Sequence, residues 1–154
     1  MLVQRSANNF DGPAIFALLS AVLAEFGLAP DPQGTDRDIS DIEGNYLRDG
    51  GWFVVLVDEA GMILGSAGLF PVDGDTLELR KMYLHPSLRG LGWGKKLLRE
   101  ALAFARTRNM KRVVLETSSR LTAAIALYER HGFVRHHPEP LAGRRDQGRV
   151  LTLS

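Results

Sequence analysis

The 154-residue chain is predicted to fold as one α/β domain over residues 1–154, and three observations support this prediction. Apolar residues recur with a helical period in some segments and with a strand period in others. No linker, repeat or low-complexity tract divides the sequence, whose length suits one core and is short for two domains. The early strands are joined by tight turns, whereas a helix separates two later ones. We therefore expect a mixed sheet with early hairpins and a late crossover.

The first half of the chain predicts one strand, two helices and a hairpin. Residues 2–5 have the pattern of a short strand. Asp11 is a candidate N-cap, after which apolar residues recur at helical spacing as far as Gly27. Beyond the loop APDPQGTD, a second and shorter helix is expected to carry Ile39, Ile42 and Tyr46 and to stop at Gly50 and Gly51. Residues 52–70 then contain two apolar runs joined by a turn, which predicts an antiparallel hairpin. The two helices are a candidate cover for a substrate.

The next strand, TLELRKMYL, carries an irregularity in its pattern. Its apolar residues fall at Leu77 and Leu79 but then at Met82, which is a slip of one in the period of two. One extra residue in a strand produces a β-bulge. The same pattern would arise if Arg80 and Lys81 only lay in solvent at the end of the strand. The periodicity alone does not separate these two interpretations.

The remaining segments predict a helix that links two strands, a final helix and closing strands. Residues 93–108 have helical spacing and precede a buried strand at residues 111–117, which is the order of a βαβ unit. The final helix is expected to end at Gly132, a candidate left-handed cap. Residues 133–137 and 149–153 are expected to close the sheet.

Composition excludes several classes of function. Nineteen basic and eighteen acidic residues give a net charge of +1, so neither nucleic acid nor an anionic membrane is an expected partner. The chain has no cysteine, which excludes disulfides, a thiolate nucleophile and a cysteine-based zinc site. His136 and His137 lack further ligands at metal spacing, so no metal site is expected. Since no apolar run resembles a signal peptide or a membrane span, we expect a cytoplasmic protein.

The stretch RGLGWGKKLL places three glycines at the predicted start of a helix. Gly90, Gly92 and Gly94 form G-x-G-x-G, which differs from the Rossmann dinucleotide motif, and the phosphate-loop motif of nucleotide hydrolases is also absent. Backbone N–H groups free of Cβ atoms at a helix N-terminus, with Arg89 and Lys95 nearby, form a candidate diphosphate site. A glycine-rich turn with solvated lysines is the alternative interpretation.

Two neighbouring stretches carry a resemblance to a known family. LRKMYLHPSLRGLGWGKKLL, followed by VVLETSSRLTAAIALYERHGF, resembles the GCN5-related N-acetyltransferase (GNAT) superfamily over residues 76–134. Arg89, Gly90, Gly92 and Gly94 match its acetyl-CoA signature Q/R-x-x-G-x-G/A, and LYERHGF matches its terminal helix. The resemblance implies a mixed, mostly antiparallel central sheet with a bulged fourth strand, flanked by about four helices. It also implies that the glycines let the start of the helix wrap the pyrophosphate of coenzyme A.

The resemblance implies an N-acetyltransferase that moves acetyl directly from acetyl-CoA, its co-substrate, to a primary amine of a small molecule in a ternary complex. Backbone N–H groups released by the bulge are similar to those that the family directs at the thioester. The implied acetyl-CoA-binding residues extend from the bulge through the glycine loop: Met82, Tyr83, Leu84, Arg89, Gly90, Leu91, Gly92, Trp93, Gly94 and Lys95.

Two catalytic roles are also implied by the resemblance. An alkyl amine of pKa about 10.4 is mostly protonated near neutral pH, so some group has to accept a proton. In the family that it resembles, this group is often a carboxylate that acts directly or through water. Glu78 is the expected general base and Glu116 is a second candidate, while a surface pairing of Glu78 with Arg80 or Lys111 is the alternative. Tyr128 is the expected acid that protonates the departing thiolate, whose conjugate acid has a pKa near ~8.5. Helical spacing alone would place this tyrosine in the core.

The sequence also departs from the family pattern and leaves alternatives open. Leu121 stands where many family members have an asparagine, seven residues before the tyrosine. Arg144, Arg145 and Arg149 are candidates for attracting an acidic acceptor, with a solvated hairpin turn as the alternative. A non-catalytic acetyl-CoA-binding regulatory module, or an acetyltransferase acting on protein or peptide amines, would carry the same motifs. Because family members often pair through sheet edges, a homodimer is a further expectation.

Overall fold

A computed structural model of the chain describes residues 1–136 and 144–153. Seven strands form one sheet in the order β1-β2-β3-β4-β5-β7-β6, and β4 and β5 are its parallel pair. The other neighbours are antiparallel, which confirms the predicted mixed sheet. The strands are β1 Val3–Ser6, β2 Trp52–Val57, β3 Ile63–Pro71, β4 Thr76–Leu84, β5 Arg112–Thr117, β6 Val134–Arg135 and β7 Gln147–Thr152.

Within the described residues, three α-helices cover the two faces of the sheet: α1 Gly12–Glu25, α2 Trp93–Thr107 and α3 Thr122–Arg130. Side chains alternate between the faces of a strand, and β2 follows this rule. Phe53 and Val55 pack in one cluster with α1, whereas Val54 and Leu56 pack with Leu97 of α2. Helices therefore bury both faces, as the nearly continuous apolar sequence of β2 requires.

The second predicted helix is instead two short helical segments. A 3-10 helix spans Arg37–Asp41, and a π-helical turn spans Glu43–Leu47. Asp41 accepts a hydrogen bond from the backbone N–H of Gly44 at 2.9 Å, and such local side-chain bonds compete with α-helical pairing. Ile39, Ile42 and Tyr46 are buried in the core. Helical structure was therefore predicted correctly in this region, but its type was not.

The bulge predicted in β4 is present. Ser66 of β3 pairs with Tyr83 and Gly68 pairs with Arg80, so β4 has one residue more than β3 over this interval. Lys81 lies there in the left-handed conformation, with φ of 57°. Its side chain is only 3% exposed, so the alternative of a solvated strand end is wrong for this residue.

The sheet opens between β4 and β5 beyond the bulge. The parallel pairing includes Thr76 to Leu79 of β4, but this strand continues to Leu84. β5 meanwhile pairs with β7 as far as Thr117. Ligands of sheets with helices on both faces bind beyond the carboxyl ends of parallel strands, so this opening is where a site is expected.

Three further expectations concern the closing strands, metal binding and membrane-spanning segments. The closing strands are β6 and β7, although His137 lies outside the described residues. Across residues 1–136 and 144–153, no cluster of three side chains suited to holding a metal ion is found. In the same part of the chain, no helix combines the length and the apolar character needed to cross a membrane.

Candidate active site

Two cavities lie on either side of the β4 bulge. The first, which we call the long groove, has a volume of about 680 Å³ and is lined by Met82 and Leu84 together with the glycine loop and α3. The second, which we call the polar cavity, has a volume of about 470 Å³ and is lined by residues that precede the bulge, including Glu78. Tyr83 and Leu121 line both cavities. The two cavities therefore meet at the opening of the sheet.

The glycine loop presents backbone N–H groups at the start of α2. Gly90 and Gly92 have φ of 75° and 88°, a conformation that glycine adopts with little strain. The first N–H groups of a helix have no partner within it, and the helix dipole favours an anion there. Lys95 and Arg99 line the same groove and add positive charge. This arrangement is suited to binding a diphosphate group.

The predicted residues of the loop differ in where their side chains lie. Gly90, Gly92, Gly94, Lys95 and Arg89 line the long groove, as do Met82, Tyr83 and Leu84 of β4. The side chain of Leu91 is exposed, and that of Trp93 packs against the cluster under α2. Neither lines the long groove, so a contribution from these two residues to binding there would come from their backbone groups.

The Arg89 side chain forms hydrogen bonds with other residues of the protein. Its guanidinium donates to both carboxylate oxygens of Glu25 at 2.7 and 2.9 Å and to the Leu84 carbonyl at 3.1 Å. Hydrogen bonding from Arg89 lowers the pKa of Glu25. Because Glu25 is the last residue of α1, this contact connects the end of α1 to the glycine loop.

Tyr128 is buried on α3 and lines the long groove. Its ring centroid lies 5.8 Å from that of Phe133. Burial raises the pKa of Tyr128, and the neighbouring Tyr83 adds to the rise. The phenol therefore remains protonated near neutral pH and is available as a proton donor.

Glu78 and Glu116 line the polar cavity rather than the long groove. Glu78 accepts a hydrogen bond from Arg80 Nε at 2.7 Å, and the Arg80 guanidinium lies 3.8 Å from the centroid of the Phe70 ring. Glu116 accepts a hydrogen bond from Arg145 at 2.8 Å. Both candidate bases are therefore held by arginines. The pairing of Glu78 with Arg80 is observed, but Glu78 is buried and Arg80 half-buried, so the pair does not lie in solvent on the surface.

A buried ionic network beside the bulge was not anticipated from the sequence. Lys81 Nζ lies 3.2 Å from Asp36 Oδ1 and 3.1 Å from Asp38 Oδ1. Arg144 binds both Asp36 oxygens at 2.7 and 2.8 Å. Burial alone would raise the pKa of Asp36, but the bonds from Arg144 and from the Asp31 backbone, with the charge of Lys81, lower it overall. The only signal in the sequence was a pair of aspartates two residues apart.

The expectation of a solvated turn at the three C-terminal arginines is wrong. Arg144 binds Asp36, which is buried beside the polar cavity, and Arg145 binds Glu116, which lines that cavity. Arg149 is 5% exposed in its side chain and lies 3.3 Å from Glu129. Arg144 and Arg145 lie just before β7 and Arg149 lies within it, so the position of this strand brings their charges to partners far away in the sequence.

A sequence model of the family described as "Acetyltransferase (GNAT) family" matches residues 17–133. The chain belongs to the GNAT acetyltransferase family. This membership confirms the resemblance carried by the glycine loop and the terminal helix. It also agrees with the mixed sheet, its parallel β4 and β5 and the helices around it.

Curated proteins similar to this GNAT chain are named as N-acetyltransferases. The uncharacterized N-acetyltransferase YjgM of Escherichia coli is 39% identical over 136 residues, which are 85% of this chain and 81% of that protein. Human N-acetyltransferase 8B is 37% identical over 101 residues, or 62% of this chain. The alignment spans only 44% of the human protein.

Solved GNAT structures show the same fold. A GNAT acetyltransferase from Staphylococcus aureus Mu50 superposes with a TM-score of 0.90 at 24% identity and full coverage of both chains. YncA of Salmonella typhimurium, a protein solved with its cofactor acetyl-CoA, has a TM-score of 0.72 at 20% identity and covers 100% of this chain and 95% of its own.

One departure from the GNAT pattern has a defined place in the structure. Leu121 stands where many family members have asparagine, and it lines both the long groove and the polar cavity. A leucine has no group that forms hydrogen bonds through its side chain. The junction of the two cavities therefore has an apolar wall in this chain.

Proposed function

We propose that this GNAT protein transfers acetyl directly from acetyl-CoA to a primary amine of a small molecule within a ternary complex. The meeting of the two cavities at the bulge is the observation that carries the proposal. A donor in the long groove and an acceptor in the polar cavity would place their reacting groups at the same opening. Direct attack then needs no covalent intermediate on the protein, because both reactants are held together.

The residues of the long groove suit acetyl-CoA in shape and charge. The glycine loop and Lys95 would hold the diphosphate, and the apolar side chains of Met82, Leu84 and Leu127 suit the pantetheine arm. Bound acetyl-CoA supplies an activated acetyl thioester. The chain has to supply proton transfer and stabilisation of the charge on the carbonyl oxygen.

Three groups of the chain are proposed for these tasks. Glu78, with Glu116 as the second candidate, accepts the proton of the incoming ammonium directly or through water. The Met82 N–H donates to the carbonyl oxygen as negative charge collects there. Tyr128 donates its phenolic proton to the departing thiolate.

The polar cavity favours a small acceptor over a protein segment. Its volume of about 470 Å³ is in the range of small-molecule sites. Asp31, Gly34 and Thr35 line it, and the nearby Asp36 is bound to Arg144 from the C-terminal segment. The segment at residues 31–36 is thus attached beside the cavity, which limits the room for an extended peptide.

Calorimetric titration with acetyl-CoA tests whether the protein binds the acetyl donor. A Gly94→Leu variant tests whether the donor binds in the long groove. A Cβ at Gly94 would lie 3.4 Å from Leu127 and 3.6 Å from Leu84, so a larger side chain enters the long groove. Leucine is a good helix former, so α2 is expected to persist. We expect the wild type to bind acetyl-CoA and Gly94→Leu to lose binding.

The matched control is Thr107→Leu, which adds the same side chain at the exposed end of α2 and is expected to keep wild-type binding. NAD and ATP are ligand controls. Release of free thiol is then measured with primary amines and with peptides. Turnover with small amines supports the proposal, whereas turnover only with peptides contradicts the proposed acceptor. Acetyl-CoA binding without turnover across the amines would favour a non-catalytic module.

A further inference from the structure

We propose that Ser66 is a positioning residue that orients the Lys81–Met82 peptide so that the Met82 N–H points to the acetyl carbonyl oxygen. This role rests on the proposed function and adds to it a residue of β3, outside the motifs that carry the family resemblance. Ser66 is completely buried, and its hydroxyl donates to the Lys81 carbonyl oxygen at 2.6 Å.

The hydroxyl of Ser66 occupies a position created by the bulge. In a regular antiparallel pair, strand carbonyls accept hydrogen bonds from backbone N–H groups of the neighbouring strand. The bulge places an extra residue in β4 opposite Ser66 and Gly68, which disrupts this local pattern. A buried carbonyl without a partner is costly, and the serine side chain provides a donor. The Lys81 carbonyl is thereby directed towards β3.

The direction of that carbonyl determines the direction of the next N–H group. The Lys81–Met82 peptide is trans, and the C=O and N–H of a planar trans peptide point in opposite directions. Since the carbonyl points towards β3, the Met82 N–H points away from β3 and towards the side of β5. The pairing of β4 with β5 includes residues only as far as Leu79, and Met82 lines the long groove. The N–H group is thus directed to the opening of the sheet.

A second set of contacts fixes the same peptide from its other side. Lys81 has φ of 57°, a conformation that costs a residue with a side chain about 1 kcal/mol. Its Nζ is held by Asp36 and Asp38 and donates to the Thr35 carbonyl at 3.1 Å. Lys81 is therefore held at its carbonyl oxygen by the Ser66 hydroxyl and at its Nζ by the two aspartates and the Thr35 carbonyl. Such contacts are expected where a backbone donor must be preorganised.

The Ser66→Ala variant tests the proposal because it removes the donor and little volume. Isotope-edited infrared spectroscopy of bound acetyl-CoA with a carbon-13-labelled carbonyl reports directly on the hydrogen bond, since a bond to the oxygen lowers the stretching frequency. We expect this frequency to rise in Ser66→Ala towards that of the free ligand. We also expect kcat to fall about tenfold, less than for complete loss of an oxyanion donor, with little change in KM for acetyl-CoA.

Three comparisons separate positioning from general destabilisation. Affinity for coenzyme A itself, which has no acetyl carbonyl, should be the same in the wild type and in Ser66→Ala. Ser66→Cys, which keeps a weak donor, should give an intermediate carbonyl frequency and an intermediate kcat. Ser20→Ala removes a similar bond, from a hydroxyl to the Phe16 carbonyl at 2.7 Å, and should leave both measurements unchanged.

The outcomes distinguish this role from the proposed function. A wild-type carbonyl frequency and kcat in Ser66→Ala would overturn the positioning role while leaving the enzyme intact. If Ser66→Ala does not fold, wild-type values in Ser66→Cys overturn it in the same way. A wild type that binds acetyl-CoA without turnover contradicts the proposed enzyme, yet its carbonyl frequency still tests Ser66. A folded wild type that binds no acetyl-CoA overturns both.

Discussion

Tyr128 shows how the burial of one side chain keeps a candidate proton donor protonated. Transfer of a phenol from water into a packed site disfavours its charged form, so burial raises the pKa of Tyr128. The proton is therefore retained near neutral pH and well above it. A thiolate that departs into the long groove would meet a phenol and not a phenolate.

Replacement of Tyr128 by phenylalanine keeps the ring and removes the proton. We expect kcat to fall by about 100-fold, in the range typical of general acid catalysis, while calorimetric affinity for acetyl-CoA stays unchanged. Because the raised pKa keeps the wild-type phenol protonated, its activity should show no loss from Tyr128 ionisation up to about pH 10. Equal kcat in Tyr128→Phe and the wild type at several pH values would remove the acid role.

The two carboxylates of the polar cavity are distinguished by the pH dependence of their variants. If Glu78 is the base, Glu78→Gln should lower kcat/KM at pH 7 by about 100-fold and recover much of it near pH 10, where a far larger fraction of the amine is neutral than at pH 7. Glu116→Gln should then have a much smaller effect at both values. Recovery at high pH in Glu116→Gln alone would assign the role to Glu116 instead.

The sequence identified some site residues and missed others for a physical reason. The glycine loop and Tyr128 belong to continuous segments whose local pattern carries information about their role. Ser66 and Asp36 act on partners that are 15 and 108 residues away, namely the carbonyl of Lys81 and the guanidinium of Arg144. Such pairings are produced by the order of the strands, and no local pattern encodes them.

Among the elements, the segment before β2 depends most on buried charge. Asp36 joins this segment to Lys81 of β4 and to Arg144 before β7, and its side chain is fully buried. Removal of one partner from a buried ionic group leaves the others uncompensated, which costs several kcal/mol. Asp36 therefore contributes to the attachment of this segment beside the polar cavity through two largely buried cations.

We expect Asp36→Asn to lower the free energy of unfolding by about 3 kcal/mol, as measured by urea denaturation. The matched control is Asp75→Asn, because Asp75 forms an exposed pair with Lys111 at 3.7 Å and its loss should change stability by less than about 0.5 kcal/mol. Similar stability of the two variants would show that the buried network contributes no more than a surface pair.

The same carboxylate predicts how stability depends on pH. The pKa of Asp36 is lower in the folded protein than its unfolded value of about 3.9, so folding favours the charged form. Its contribution is complete above about pH 5 and is lost as the pH falls through the folded pKa. Asp36→Asn should therefore lose less stability than the wild type between pH 5 and pH 3. Parallel losses in the two proteins would contradict this contribution.

At the level of elements, the spacing of apolar residues along the sequence predicted the bulge of β4 but not the π-helical turn. The bulge of β4 was visible as a slip in the alternation of apolar residues, because each strand residue must face one side or the other. The π-helical turn at Glu43–Leu47 was not visible, since its buried residues have spacings that an α-helix also allows. The hydrogen bond from the Gly44 backbone N–H to the Asp41 carboxylate depends on the exact backbone path.

For the whole molecule, the contact of Arg89 with Glu25 joins the first helix to the glycine loop, 64 residues apart. The guanidinium cannot bind this carboxylate and a phosphate with the same N–H groups. We expect Glu25→Gln to strengthen acetyl-CoA binding several-fold at low salt and to lose that gain at high salt, where charges are screened. Calorimetry at two salt concentrations measures the effect.

Glu59→Gln is the matched control for that variant, because it makes the same change of charge at a residue paired with the N-terminal amine. It should leave acetyl-CoA affinity unchanged. Weaker binding by Glu25→Gln would show instead that the contact with α1 holds the loop in its binding conformation.

The opening between β4 and β5 has a mechanical consequence for the molecule. β1 to β4 and β5 to β7 form two half-sheets, and in the part of the chain that the structure describes four residue pairs of β4 and β5 join them. An extended molecule with amide groups, bound between the two half-sheets, would form hydrogen bonds with the edges of β4 and β5. It would thereby oppose movement of one half-sheet relative to the other. Substrate loading would then stiffen the molecule, and the thermal midpoint should rise as the donor concentration increases.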